Sequence, residues 1–182
     1  MLSYSGTPFH LTLIDGNRFA VTYAFNDKIE IINLSTTHVQ TITLEKYCHG
    51  ISYTDGKLYV MESTIGIVVL DLTGKILKTV PLDTEHLCNI ATSRDRIYYT
   101  NEHKNTIHRL SLTGQVIWEY HNKSIIQPLG ITVSDNQDVL VVGSTSNNLS
   151  IITQNGNKSR ILLDKFANWI TPRTVYYNRD RK

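Results

Sequence analysis

A chain of 182 residues is the length of one ordinary domain, and 18 Lys and Arg against 16 Asp and Glu leave a net charge of +2. That balance excludes a strongly basic nucleic-acid coat and an acidic disordered tail, while a hydrophobic share of 41% suffices for a core. No stretch approaches the ~20 apolar residues of a membrane helix, the N-terminus has no basic or apolar leader segment, and two cysteines make no disulfide framework. These features predict a cytoplasmic protein without membrane contact.

The predicted elements are short strands that recur in four groups. The first opens with His10–Asp15 and passes through Gly16 to Arg18–Thr22. The second repeats this as Gly50–Asp55, Gly56 and Lys57–Met61, the third as Asn89–Asp95 and Arg96–Thr100, the fourth as Gly130–Gln137 and Asp138–Val142. The opening residues stand 40, 39 and 41 positions apart. A second landmark runs in phase: Asp71-Leu-Thr-Gly74, Ser111-Leu-Thr-Gly114 and Thr153-Gln-Asn-Gly156, with Asn33–Thr36 as a weaker first copy. Two landmarks at one period mark an internal repeat.

Within the second group the spacing predicts strands over Gly50–Thr54, Lys57–Glu62, Ile65–Asp71 and Lys75–Val80. Asp55-Gly56 is a hairpin signal, because a type I′ turn needs positive φ at both central residues. Val, Ile, Tyr and Thr dominate the strands. No segment shows a sustained helical period, and Ile161–Ile170, the nearest to one, also fits a strand followed by a loop. Four strands every ~40–45 residues is the pattern of an all-β propeller built from four-stranded blades. The blades are expected over approximately residues 8–45, 48–83, 87–122 and 128–164, with the first strand of a fifth over 172–182. A six-bladed ring at this period takes about 240–270 residues. The expectation is therefore a partial six-bladed propeller, open, with exposed blade edges inviting self-association; the alternative, a closed four-bladed ring, leaves residues 172–182 without a place.

Pro128-Leu-Gly-Ile-Thr-Val133, followed by Val139–Val142, Ile151 and Asn155-Gly156, resembles an NHL repeat, as does Gly50-Ile51 with Leu58-Tyr-Val60, Val69-Leu-Asp71 and Gly74-Lys75. The stretch from Trp118-Glu-Tyr120 to Ser159-Arg160 resembles, more narrowly, the C-terminal propeller of tripartite-motif (TRIM) proteins. Asn89 and His10 depart from the pattern, which expects glycine there. The Gly-His and Trp-Asp pair of the commonest 40-residue propeller repeat is absent, as are RING, B-box and coiled-coil segments. The resemblance implies a substrate-recognition domain of the kind found in TRIM-type ubiquitin ligases.

Candidate chemistry is sparse. Tyr47-Cys48-His49 and Glu85-His86-Leu87-Cys88 fall at the starts of first strands, but without zinc-finger spacing. A divalent-metal channel hydrolase needs several acidic or amide ligands on first strands, where only Asn89 qualifies; Asp15, Asp55, Asp95 and Asp135 sit in turns and read as turn formers. No Gly-x-Ser-x-Gly, His-Glu-x-x-His or phosphate loop occurs. Tyr59, Tyr98 and Tyr99 on second strands, and Trp118 on a fourth, are expected to pack between blades. The four Asn-x-Ser/Thr sequons, at Asn33, Asn122, Asn148 and Asn157, are near chance for this composition.

The reading is a non-catalytic interaction module: no enzyme, no cofactor, no metal, a protein as the principal partner. Its ligand face is expected at His49, His86, Asn89, His103, Lys104 and Arg173, which share a position in the repeat. The alternative is single-stranded RNA, since residues 158–182 hold seven basic residues against two acidic ones.

Overall fold

The computed structural model describes residues 6–82, 87–164 and 171–178. The chain divides into two compact units, residues 1–85 and 86–182. Among the described residues all regular structure is β, in four antiparallel sheets of four strands each.

The first unit holds two blades. Blade 1 comprises β1 (Pro8–Leu13), β2 (Arg18–Tyr23), β3 (Lys28–Asn33) and β4 (Val39–Thr43); blade 2 comprises β5 (Cys48–Thr54), β6 (Lys57–Glu62), β7 (Gly66–Asp71) and β8 (Ile76–Pro81). The second unit holds blade 3, with β9 (Leu87–Ser93), β10 (Arg96–Asn101), β11 (Thr106–Ser111) and β12 (Val116–His121), and blade 4, with β13 (Pro128–Val133), β14 (Val139–Gly143), β15 (Asn148–Ile152) and β16 (Ser159–Asp164). In each blade the strands pair in chain order, so every connection is a hairpin. This is the predicted blade architecture of a β-propeller.

Burial follows from this order. The middle strands are covered on both faces: in β7, Gly66 to Leu70 are all buried, as its unbroken apolar run predicts. The fourth strands β4, β8, β12 and β16 are mostly exposed. The core of the first unit lies between its blades, where Ala20, Ile29, Ile31 and Ile42 meet Ile51, Leu58, Val60 and Val68. The second unit repeats the arrangement with Tyr98 and Ile107 against Ile131, Val139, Val141 and Ile152. Each fully buried side chain of this size contributes about 1.5–3 kcal/mol. Tyr59, Tyr98 and Tyr99 are buried as expected. Tyr98 packs in the core between blades 3 and 4, whereas Tyr99 stacks on His108 of the next strand of its own blade, ring centroids 4.4 Å apart.

Two turn glycines do double duty. Gly74 and Gly156, at φ +93° and +71°, close the turns between third and fourth strands. A Cβ on Gly74 would stand 3.1 Å from the side chain of Ile42, and one on Gly156 would stand 2.8 Å from the indole of Trp118. Trp118, half-buried, also donates from Nε1 to the carbonyl of Gln154 at 3.1 Å. Blade 2 is thus fitted to blade 1, and blade 4 to blade 3, at the same point of the repeat.

Residues 172–178 form no strand, unlike the first strand of a fifth blade expected there, but Arg173 and Thr174 pass against β13 of blade 4. A Cβ on Gly130 would lie 2.6 Å from Cα of Thr174, so the absence of a side chain on β13 makes room for this passage.

Candidate functional site

The loops joining second to third strands, and those joining one blade to the next, meet at one end of each unit. In the first unit they are knitted by backbone bonds: Leu44 N–H to Asp27 O at 2.6 Å, Cys48 N–H to Asn26 O at 2.8 Å and Ser63 N–H to Tyr47 O at 2.9 Å. The buried carboxylate of Glu62 fixes the crossover between blades, since its Oε1 accepts from the N–H groups of Glu45 at 2.8 Å and Lys46 at 2.6 Å. Charge-assisted bonds of this kind are stronger than neutral ones, so the following residue, Tyr47, is held in place.

On this base stands a group of exposed aromatic residues. Phe9, Phe25 and Tyr47 are 42%, 82% and 53% exposed. Phe25 meets Tyr47 edge-on at 6.4 Å, and Phe9 meets the His49 ring edge-on at 5.5 Å. His49 Nε2 lies 2.7 Å from Ser63 Oγ. Phe25 has φ +58°. A bulky side chain in the left-handed region costs roughly 1–2 kcal/mol, and here that cost holds an aromatic ring out in water.

The neighbouring thiol is inert. Cys48 is fully buried, and burial, with the Glu62 and Asp27 carboxylates nearby, pushes its thiol up to about 12. Burial thus favours the protonated thiol at neutral pH, which disfavours attack as a nucleophile. Glu85 and His86 lie outside the described residues. Among the described residues no three His, Cys, Asp or Glu side chains gather in a way that would hold a metal ion.

In the second unit, His103 and Lys104 are exposed together on the β10–β11 loop, where Lys104 N–H donates to Asn101 Oδ1 at 2.9 Å. Asn89 behaves differently: it is 7% exposed, and among the described residues its Oδ1 has no hydrogen-bond partner. Arg173 is exposed on the segment that passes over Gly130, not on a loop between second and third strands. Of the sequence-predicted residues, then, His49 belongs to the aromatic group of the first unit, and His103 and Lys104 form a separate basic pair in the second. Phe9, Phe25 and Ser63 were not among the residues singled out from sequence. The only sequence signal for Phe25 is its position in a turn, where Gly, Asn or Asp is usual.

No family model matches the sequence, and no curated protein matches it. Solved structures do. A catalytically inactive histidine-to-alanine variant of virginiamycin B lyase from Staphylococcus aureus, with quinupristin, superposes with a TM-score of 0.75 at 21% identity over 95% of this chain and 61% of that one. A streptogramin B lyase structure gives 0.68 at 16% identity, over 95% and 74%. Selenomethionine-substituted virginiamycin B lyase from Staphylococcus aureus gives 0.69 at 17% identity, over 96% and 75%. The chain folds as β-propeller blades. It spans about three fifths of the first of these proteins, 61% of its length.

These structures correct one expectation. The lack of a familiar catalytic motif was read as the lack of an enzyme, yet the similar propellers are lyases. A propeller gathers functional groups from several loops, so short motifs along the chain are the wrong place to look for its chemistry. None of these three structures is a TRIM propeller, so that narrower likeness rests on the sequence alone.

Proposed function

We propose that the protein is a recognition module that takes a protein partner on the loop end of its first two blades, as its resemblance to TRIM-type propellers implies. The observation that carries this is Phe25: 82% exposed, left-handed, and stacked edge-on against Tyr47. Backbone strain kept at an exposed aromatic residue has no folding rationale and is characteristic of binding sites. Exposed aromatic rings on rigid loops make efficient interface anchors.

The test is selection of binding peptides from a displayed library against the whole chain, followed by Phe25→Ala and Tyr47→Ala. Loss of roughly tenfold or more in affinity, at unchanged melting temperature, is expected for an anchor residue. Peptides indifferent to both substitutions would sink the reading. So would binding of random-sequence RNA in place of peptides, with the steep salt dependence of phosphate contacts.

A second reading is favoured by one contact, His49 Nε2 to Ser63 Oγ at 2.7 Å. An elimination needs a base that takes a proton, and a half-buried histidine beside an apolar patch suits that role. A histidine-to-alanine change inactivates one of the similar lyases. Incubation with quinupristin, read as loss of the intact compound by mass spectrometry, decides it. Turnover abolished by His49→Ala supports lyase chemistry here, and no turnover by the parent chain removes it.

A further inference from the structure

The two blades of the first unit meet through a repeated set of contacts. His10 and Thr12 of β1 point toward β5: Ile51 N–H donates to His10 Nδ1 at 3.1 Å and Tyr53 N–H donates to Thr12 Oγ1 at 3.0 Å. Thr22, near the end of β2, donates to the carbonyl of His49 at 2.6 Å. The second unit repeats the last of these, with Thr100 donating to the carbonyl of Leu129 at 2.9 Å. In both units the preceding blade also covers an isoleucine two residues further on, so that Ile51 is 1% exposed and Ile131 6%.

The same position in blade 1 is Leu11, and it is 62% exposed. Its neighbour on the same face, Leu13, is 57% exposed, whereas the matching Val133 is 4% exposed. Side chains alternate along a strand, so with His10 and Thr12 toward blade 2, Leu11 and Leu13 point away from it, while Phe9, across the register shift between Pro8 and His10, meets His49 of blade 2. Leu11 stands opposite Val21 and Leu13 opposite Phe19 in the register of β1 and β2. An apolar sheet face therefore continues outward, built from the residues that are buried between blades elsewhere in the chain. Contiguous apolar patches of this kind mark interaction surfaces.

We infer that this face of blade 1 receives a further propeller blade, one that carries a threonine near the end of its second strand and a side-chain acceptor on its first. The threonine would donate to the Phe9 carbonyl, and the acceptor would take the Leu11 N–H, as Thr22 and His10 do for blade 2. A second copy of this chain does not fit that description. Its threonine-bearing blades are 1 and 3, whose threonines are already used on blades 2 and 4. Blades 2 and 4 carry Met61 and Val142 at the matching position. The occupant is thus a blade from another polypeptide segment.

The experiment extends the full chain at its N-terminus with a copy of residues 87–127, a blade with its threonine and its linker. Exchange of the Leu11 and Leu13 amides should slow by tenfold or more, and binding of a hydrophobic dye should fall. The same extension with its threonine changed to valine should recover part of the exchange. Unchanged exchange in a folded extended protein would overturn the inference. So would an unextended chain that sediments as a dimer with these amides already protected, because the occupant would then be a second copy. Should the extension fail to fold, Leu11→Ser with Leu13→Ser in the unextended chain decides. Reduced dye binding at an unchanged melting temperature supports an open face, and a fall of more than about 5 °C shows that the face is already covered, overturning it.

Discussion

The loops between second and third strands are built differently in the two units. Each carries one non-glycine residue at positive φ: Phe25 and Thr64 in the first unit, Asn105 and Asn147 in the second. Asparagine tolerates this conformation, and phenylalanine and threonine do not. The two asparagines also hold the scaffold. Asn105 Oδ1 accepts from Gln127 N–H at 2.7 Å, and Asn147 Oδ1 accepts from Thr171 N–H at 2.7 Å. In the second unit the left-handed residue stabilises its loop. In the first, at Phe25, it displays a ring to solvent at the loop's expense. The same point of the repeat is thus tied to the scaffold in the second unit and, at Phe25, left projecting into solvent in the first.

The sharpest way to break this comparison is to disturb the structural half. Gly156→Val places a side chain at φ +71° and drives it into Trp118, whose indole would lie 2.8 Å from the new Cβ. The expected loss is at least ~3 kcal/mol, about 6–12 °C in melting temperature for a chain of this size. Gly16→Ala is the control, since nothing lies within 4 Å of its Cβ position. The asparagines come next. Asn105→Ala and Asn147→Ala each lose a side-chain acceptor for a backbone N–H and force alanine into the left-handed region, so each should cost about 1–2 kcal/mol by chemical denaturation. Phe25→Gly should do the opposite. Relief of the left-handed strain outweighs the entropy of glycine, giving a gain of about 0.5–1 kcal/mol. A destabilised Phe25→Gly chain would mean that the ring packs for stability, and the contrast between the units would fall.

Much of this fold was legible because its signals are local. Lys57–Glu62 forms the strand that its composition predicts, and Asp55 and Gly56 both take the positive φ that their turn demands, at 48° and 76°. The candidate site was legible only at His49, which stands at the start of a first strand. Phe25 was not, because nothing in Ala-Phe-Asn-Asp says which residue takes the left-handed conformation or which ring remains uncovered. The same holds for Leu11, Ile51 and Ile131. They are the same class of residue at the same point of the repeat, and only the presence or absence of a preceding blade makes one exposed and two buried. The reading of no enzymatic activity failed for a related reason. It rested on missing contiguous motifs and on a search of the first strands for metal ligands, and neither samples the groups that a propeller gathers on its loops across blades.

The smallest effect concerns histidine, and it again separates the units. His10 lies between blades 1 and 2, with burial holding its pKa below the ordinary value and the bond to Ile51 opposing that. His108 lies within blade 3, stacked on Tyr99; burial lowers it too, with Glu119 raising it and Lys104 lowering it. Both are favoured in the neutral form when folded. The unfolded chain therefore binds more protons as pH falls below about 6.5, and stability drops from there down through the folded pKa values. Above that window neither group changes stability with pH. One such histidine gives a slope no steeper than ~1.4 kcal/mol per pH unit. His10→Gln should remove its share of the acid sensitivity of the first unit, and His108→Gln that of the second, each followed by denaturant unfolding between pH 7.5 and 5. His10 Nδ1 lies 3.1 Å from both the N–H and the carbonyl oxygen of Ile51, so protonation takes the acceptor from that N–H and gives the carbonyl a donor instead, at the seam between two blades. Amides along β5 should then exchange faster in acid than those along β6, and His10→Gln should abolish the difference. Equal exchange on the two strands would mean that the seam does not sense pH.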